Sequence, residues 1–179
     1  MEEFHMQNLP SNYNALSPVS FRFSIKKLPN VNFFCQSANI PDLSLGVITR
    51  PTPMRDFNTF GDNLEIGTLE ISFLVDEDLA NYLEIQKWMR DLTSPENFTG
   101  YNTTLGNTAE GLGDFGGLIS DATLHILTNA MNTNKNVQFK ECFPTTLGAL
   151  DFTTQDTEIS VITASCSFSI ADFTIESVI

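Results

Sequence analysis

Gly111, Gly113 and Gly116 spell G-x-G-x-x-G, a spacing that can aim backbone amides at a pyrophosphate. That chemistry needs a strand before the motif and a helix after it. Here the glycines sit in a Gly-, Asn- and Thr-rich stretch, 94–119, that leads into a predicted strand, so they read as loop glycines. Asp76-Glu77-Asp78 puts three carboxylates in a row. A hard cation needs oxygens converging from spaced positions, whereas three neighbours at a helix start point around its axis. They read instead as an N-cap at Asp76 and two acidic residues at the positive end of a helix dipole. His5 and His125 are far apart, with no His, Cys or Glu at ligand spacing. Cys35 or Cys142 with His125 would make a thiol nucleophile, but no local signature supports one. Neither enzymatic activity nor a metal nor a cofactor is expected.

Two polar stripes remain. Thr68, Glu70 and Ser72 share one face of a predicted strand, and Thr163, Ser165, Ser167 and Ser169 share one face of another. An ordinary solvated sheet face explains both. The sharper reading is a polar wall to which passing molecules do not stick.

The charge balance narrows the choice. The 179 residues carry 22 acidic and 9 basic side chains, a formal net charge of -13. Such a surface repels phosphate and argues against a conventional nucleic-acid binder, though not against a surface past which DNA slides. Cys35, Cys142 and Cys166 are odd in number and each falls in a predicted strand, so buried free thiols and synthesis in a reducing cytoplasm are expected. No apolar run is long enough to span a membrane, and the N-terminal MEEFHMQN is acidic rather than signal-like.

The positioning elements are mostly strands. Residues 1–18 read as an N-terminal arm and 19–179 as a single domain. Val19 to Lys27 alternates as a half-buried strand, turns at Leu28-Pro29-Asn30, and returns over Val31–Ala38, which predicts a hairpin. Leu43 to Thr49 is a further short strand, and 50–63 is a long loop or protruding hairpin. Residues 58–75 form a long strand whose parity changes at Gly67, marking a bulge or a switch between sheets. A helix runs from Glu77 to Leu92, with Tyr82, Ile85, Met89 and Leu92 as its apolar stripe and Leu79, Leu83 and Trp88 flanking it. Strands resume at Asp121–Asn129 and Asn136–Phe143, Pro144 to Gly148 makes a turn, and a last strand covers 158–175 with a second parity break at Ala171-Asp172. About seven or eight strands and one helix predict a mainly β chain, a sandwich or barrel with one flanking helix.

In order and spacing these blocks resemble the tail tube protein family of contractile-tailed, T4-like bacteriophages. The resemblance rests on Asn32-Phe-Phe-Cys-Gln-Ser-Ala38 followed by Ile40-Pro41; on Arg55 to Asp62 leading into Leu69 to Glu77 and the Trp88 helix; and on Val137 to Asp151 followed by the last strand. It covers roughly 19–93 and 120–176, while 94–119 and the arm are not matched. It implies a virion protein, assembled in the host cytoplasm, whose hexameric rings stack into a tube inside a contractile sheath. Sheath, baseplate and tape-measure proteins are the implied partners, and DNA passes through the lumen without specific binding. Thr68, Glu70, Ser72, Thr163, Ser165, Ser167 and Ser169 are then candidate lumen residues. Arg50, Arg55, Asp56, Phe57, Phe60 and Asp62 are candidates for contacts between subunits or rings. The related alternatives are a baseplate tube-initiator and a secretion-system tube protein. A carbohydrate-binding β-sandwich is the rival from another class, hinted at by Phe98 and Tyr101.

Overall fold

The computed structural model describes residues 14–93, 118–154 and 161–178. In β1 (Phe21–Ile25), Phe23 and Ile25 are buried and Arg22 is exposed, as parity predicts. Val19 lies before the strand and is exposed. The expected hairpin does not follow. Pro29–Phe34 is a short helix, α1, and only Cys35–Ala38 is extended as β2. Leu28 and Val31, three apart, are both buried, a helical spacing, and Pro29 suits the first turn. Asn32 fills the backbone place a hairpin partner would take. Its Oδ1 accepts from the Ile25 N–H at 2.8 Å, and its Nδ2 donates to the Ile25 carbonyl at 3.0 Å. Accordingly β1 pairs with β6 (Ser120–Leu127) and β2 with β5 (Leu69–Leu74), not with each other.

The main sheet has two halves joined by one strand, β7 (Thr133–Leu147). The first part of β7 pairs with β6 and β9 (Asp172–Ser177), and its last part pairs with β8 (Thr163–Ser169). The partners change around Glu141, whose φ of 55° is left-handed and whose N–H donates to Asp121 Oδ1 at 3.3 Å. The turn expected at 144–148 is mostly strand: Pro144 sits beside a register irregularity, which tolerates its missing N–H. The expected last strand is broken into β8 and β9 at Ala171-Asp172, where its parity changes, and 155–160 lies outside the described residues. The strand order is β1-β6-β7-β8-β5-β2, with β9 on β7. This sheet stays open, so the mainly β class with a flanking helix stands and a closed barrel does not.

Both halves bury into one core. Phe23, Leu124, Val137 and Phe139 come from one, and Leu69, Ile71, Phe73, Cys166 and Phe168 from the other. The flanking helix α2 (Ala80–Thr93) adds Ile85 and Trp88. It starts later than Glu77 because Leu79 is left-handed, φ 56°, and Asp76–Leu79 closes a turn with the Leu79 N–H on the Asp76 carbonyl at 2.9 Å. The buried face centres on Ile85 and Trp88, with Tyr82, Met89 and Leu92 partly buried beside it and Leu83 exposed. Trp88 Nε1 donates to the Leu118 carbonyl at 2.7 Å, and its ring lies 6.1 Å from that of Phe168.

Asn81, not Asp76, ties the helix to the sheet. It is fully buried; its Nδ2 donates to the Leu74 carbonyl at 2.7 Å and its Oδ1 accepts from the Asp76 N–H at 3.4 Å. Asn81→Ala leaves those backbone groups without this partner, so a loss of about 1–3 kcal/mol is expected in urea unfolding. An unchanged midpoint would refute that role.

Candidate functional site

The two polar stripes meet on one face. β5 and β8 pair with Glu70 opposite Ser167, Ser72 opposite Ser165, and Leu74 opposite Thr163. Leu69, Ile71, Phe73, Ala164, Cys166 and Phe168 point the other way, into the core. The polar residues share a sheet face because the apolar ones must share the opposite face. Ser37 of β2 continues the row, its hydroxyl 2.5 Å from that of Ser72, and Thr146 of β7 lies opposite Ser167. Thr145 Oγ1 donates to the Ser167 carbonyl at 3.0 Å. Thr68 stands just before β5, and Ser169 pairs with the exposed Phe143 at the far end.

Of the stripe residues, Glu70 is the one that carries a charge. The wall is hydroxyl-rich rather than a concentration of the chain's acidic excess. Ser37 and Thr146 are not among the sequence candidates, because local parity does not say that β2 pairs with β5 or that the end of β7 pairs with β8.

The second feature is the hairpin of β3 (Leu43–Arg50) and β4 (Phe57–Ile66), a two-stranded sheet of its own. The expected long strand is therefore two strands, and the parity change at Gly67 is a switch between sheets. All eight residues of β3 are exposed. At the base, the Gly67 N–H donates to the Asp42 carbonyl at 2.9 Å, and a Cβ on Gly67 would lie 1.9 Å from Asp42 Oδ1. Asn39 braces the same corner by accepting from the Glu70 N–H at 2.7 Å and donating to the Thr68 carbonyl at 3.2 Å. Farther out, a Cβ on Gly61 would meet the Gly46 carbonyl oxygen at 2.8 Å, so a side chain there would push the strands apart.

Arg50, Arg55, Asp56, Phe57, Phe60 and Asp62 are all exposed on this hairpin, with the Arg55 guanidinium 4.4 Å from the centre of the Phe57 ring. The sequence reading missed its apolar face. Register places Leu43 opposite Ile66 and Leu45 opposite Leu64 on one side of the ribbon and, past a register shift, Val47 opposite Phe60.

The remaining candidates are not assembled into chemistry. His125 Nδ1 is 2.7 Å from Asn136 Oδ1 across the β6–β7 pair, while His5 and the G-x-G-x-x-G glycines lie outside the described residues, as do Phe98 and Tyr101. Among the described residues no group of three or more His, Cys, Asp or Glu is placed to hold a metal ion, and no helix is long and apolar enough to cross a membrane. All three cysteines are free, Cys142 and Cys166 buried and Cys35 half-buried. Burial pushes the Cys35 thiol up to about 11 and the Cys142 and Cys166 thiols up to about 12. Folding therefore favours the protonated thiols; the stability this supplies is intact below the ordinary value of 9.0 and is lost as pH rises through 11 to 12. At pH 8 the native protein should react far more slowly with Ellman's reagent than the guanidinium-unfolded chain. Equal rates would contradict these environments.

No protein-family model matches the chain, and no curated protein matches it in sequence. Solved structures match it in fold. One is a chain of the sheath–tube complex of an extracellular contractile injection system, PVC, in its extended state, with 14% identity, a TM-score of 0.57, and 93% of this chain and 94% of that one covered. Another belongs to the tube-terminating cap of the anti-feeding prophage, with 13% identity, a TM-score of 0.58, and coverage of 99% and 100%. A third comes from the six-fold symmetrised baseplate of the same particle, with 12% identity, a TM-score of 0.57, and coverage of 88% and 91%. At these identities the likeness is one of architecture: the protein has a tail-tube-like fold shared with chains of contractile injection particles.

Proposed function

We propose that this protein is the tube subunit of a contractile tail, forming hexameric rings that stack inside a sheath, with the hydroxyl wall lining the lumen. The observation that carries the reading is the hydroxyl wall on an open sheet, whose outer strands β1 and β2 have no further strand partner among the described residues. Unpaired edges are an aggregation hazard in isolation, and ring closure removes them. The likeness to chains of a sheath–tube complex and a six-fold baseplate supports the same reading.

A wall of serines and threonines offers polar contact without a positive charge to hold phosphate. With Glu70, each ring would add six carboxylates, enough to discourage DNA from sticking as it passes. In this reading the tube belongs to a T4-like phage, is assembled in the host cytoplasm, and meets sheath, baseplate and tape-measure proteins. Arg50, Arg55, Asp56, Phe57, Phe60 and Asp62 serve contacts between subunits or rings.

A second reading, a ring that starts or ends the tube, is favoured by the near-complete overlap with a chain of the tube-terminating cap. Sedimentation velocity over a concentration series separates the two. A tube subunit should grow from single rings to long stacks as concentration rises. A terminal or baseplate ring should stop at one ring, and a chain that stays monomeric with sheath and baseplate partners present would defeat both.

A further inference from the structure

The β3–β4 hairpin carries an apolar surface that nothing in its own fold explains. Leu43, Leu45, Val47, Phe60 and Leu64 are 55%, 52%, 63%, 76% and 55% exposed; Leu45 pairs with Leu64 and, past a register shift, Val47 pairs with Phe60. Exposed large apolar side chains gathered on one ribbon mark a surface for interaction rather than a solvated face. Asp62 lies between Phe60 and Leu64, where the β3–β4 register shifts, and is exposed.

A matching acceptor exists elsewhere on the molecule. Between the C-terminal half of α2 and the last part of β7 runs a groove of about 710 Å³, floored by Met89, Leu92, Phe143, Pro144 and Leu147, with Arg90 at its rim. The two features lie on opposite edges of one half-sheet: β2 and β5, which the hairpin extends, at one edge, and the end of β7 at the other.

We propose that the apolar face of the hairpin seats in the α2–β7 groove of a second copy of this chain. This rests on the ring-forming reading above. A donor and an acceptor on opposite edges make a head-to-tail contact, which builds rings where its rotation closes and not two-fold dimers. The carboxylate of Asp62 and the guanidinium of Arg90 then have opposite charges at the rim.

The test is photochemical. p-Benzoylphenylalanine replaces Phe60 in the full-length chain, the assembled protein is irradiated, and cross-linked peptides are mapped by mass spectrometry. The expected product joins two chains, at Met89, Leu92, Phe143 or Leu147. In parallel, Arg90→Glu should weaken assembly about tenfold, and Asp62→Arg in the same chain should restore it. Rings whose cross-links land on another surface, on residues 94–117 of the same chain, or only on a sheath protein would overturn the docking and leave the ring reading standing. Absence of both rings and interchain products would overturn the two together.

Discussion

Replacing Phe139 with alanine should cost about 3–5 kcal/mol, the range for deleting a buried aromatic side chain, and so remove much of the 5–15 kcal/mol that a domain usually has. Phe139 is fully buried in the first part of β7, opposite Ala122 of β6 and Phe173 of β9. Its ring lies 6.2 Å from that of Phe173 at a tilt of 48°. Three strands lose packing at once, and the space left cannot be filled by sliding a strand without flipping side chains on both faces. Chemical unfolding followed by circular dichroism measures the loss. A cost under about 1 kcal/mol would mean that the core is not centred on this strand.

The second large effect separates folding from assembly. Leu45→Glu combined with Phe60→Lys should leave the unfolding midpoint within about 0.5 kcal/mol of wild type, because both side chains are exposed on a hairpin outside the core. The same pair should raise the concentration needed for ring formation at least a hundredfold. Burying one leucine and one phenylalanine contributes about 3–6 kcal/mol per contact, and each 1.4 kcal/mol is a factor of ten. Light scattering and sedimentation read the assembly, and circular dichroism reads the fold. A variant that assembles normally would remove the hairpin from the interface.

What was legible in the sequence follows from the range of the forces involved. Alternation is local, so the inward set Leu69, Ile71, Phe73 and the outward set Glu70, Ser72 could be read from one strand, and the Cys166 and Ser165 sets from another. That these strands are neighbours, which puts Ser72 beside Ser165, is a long-range pairing that no local pattern carries. The stretch Val31–Phe34 misled because a phenylalanine-rich run fits a buried strand and a short helix equally well. The deciding contact is the Asn32 side chain on the Ile25 backbone. Pro144 misled for a different reason: proline usually ends a strand, but beside a register irregularity and at a sheet edge its missing N–H is tolerated.

Gly67 was visible as a parity break, and its reading as a switch between sheets depended on what lies next to it. With no side chain on Gly67, the Asp42 carboxylate can lie where a Cβ would be, at the junction of the hairpin and the core strand. The candidate contact residues at 50–62 lie along this hairpin and its tip. The exposure of their apolar neighbours Leu43, Leu45 and Leu64 was not legible, because hydrophobic alternation does not say whether a face is buried.

The most direct measurement is a cryo-EM reconstruction of the assembled protein. The expected map shows stacked six-membered rings around an open bore, with Glu70, Ser72, Ser165 and Ser167 facing the bore. A closed particle, or rings that turn this face outward, would contradict the assignment of the wall.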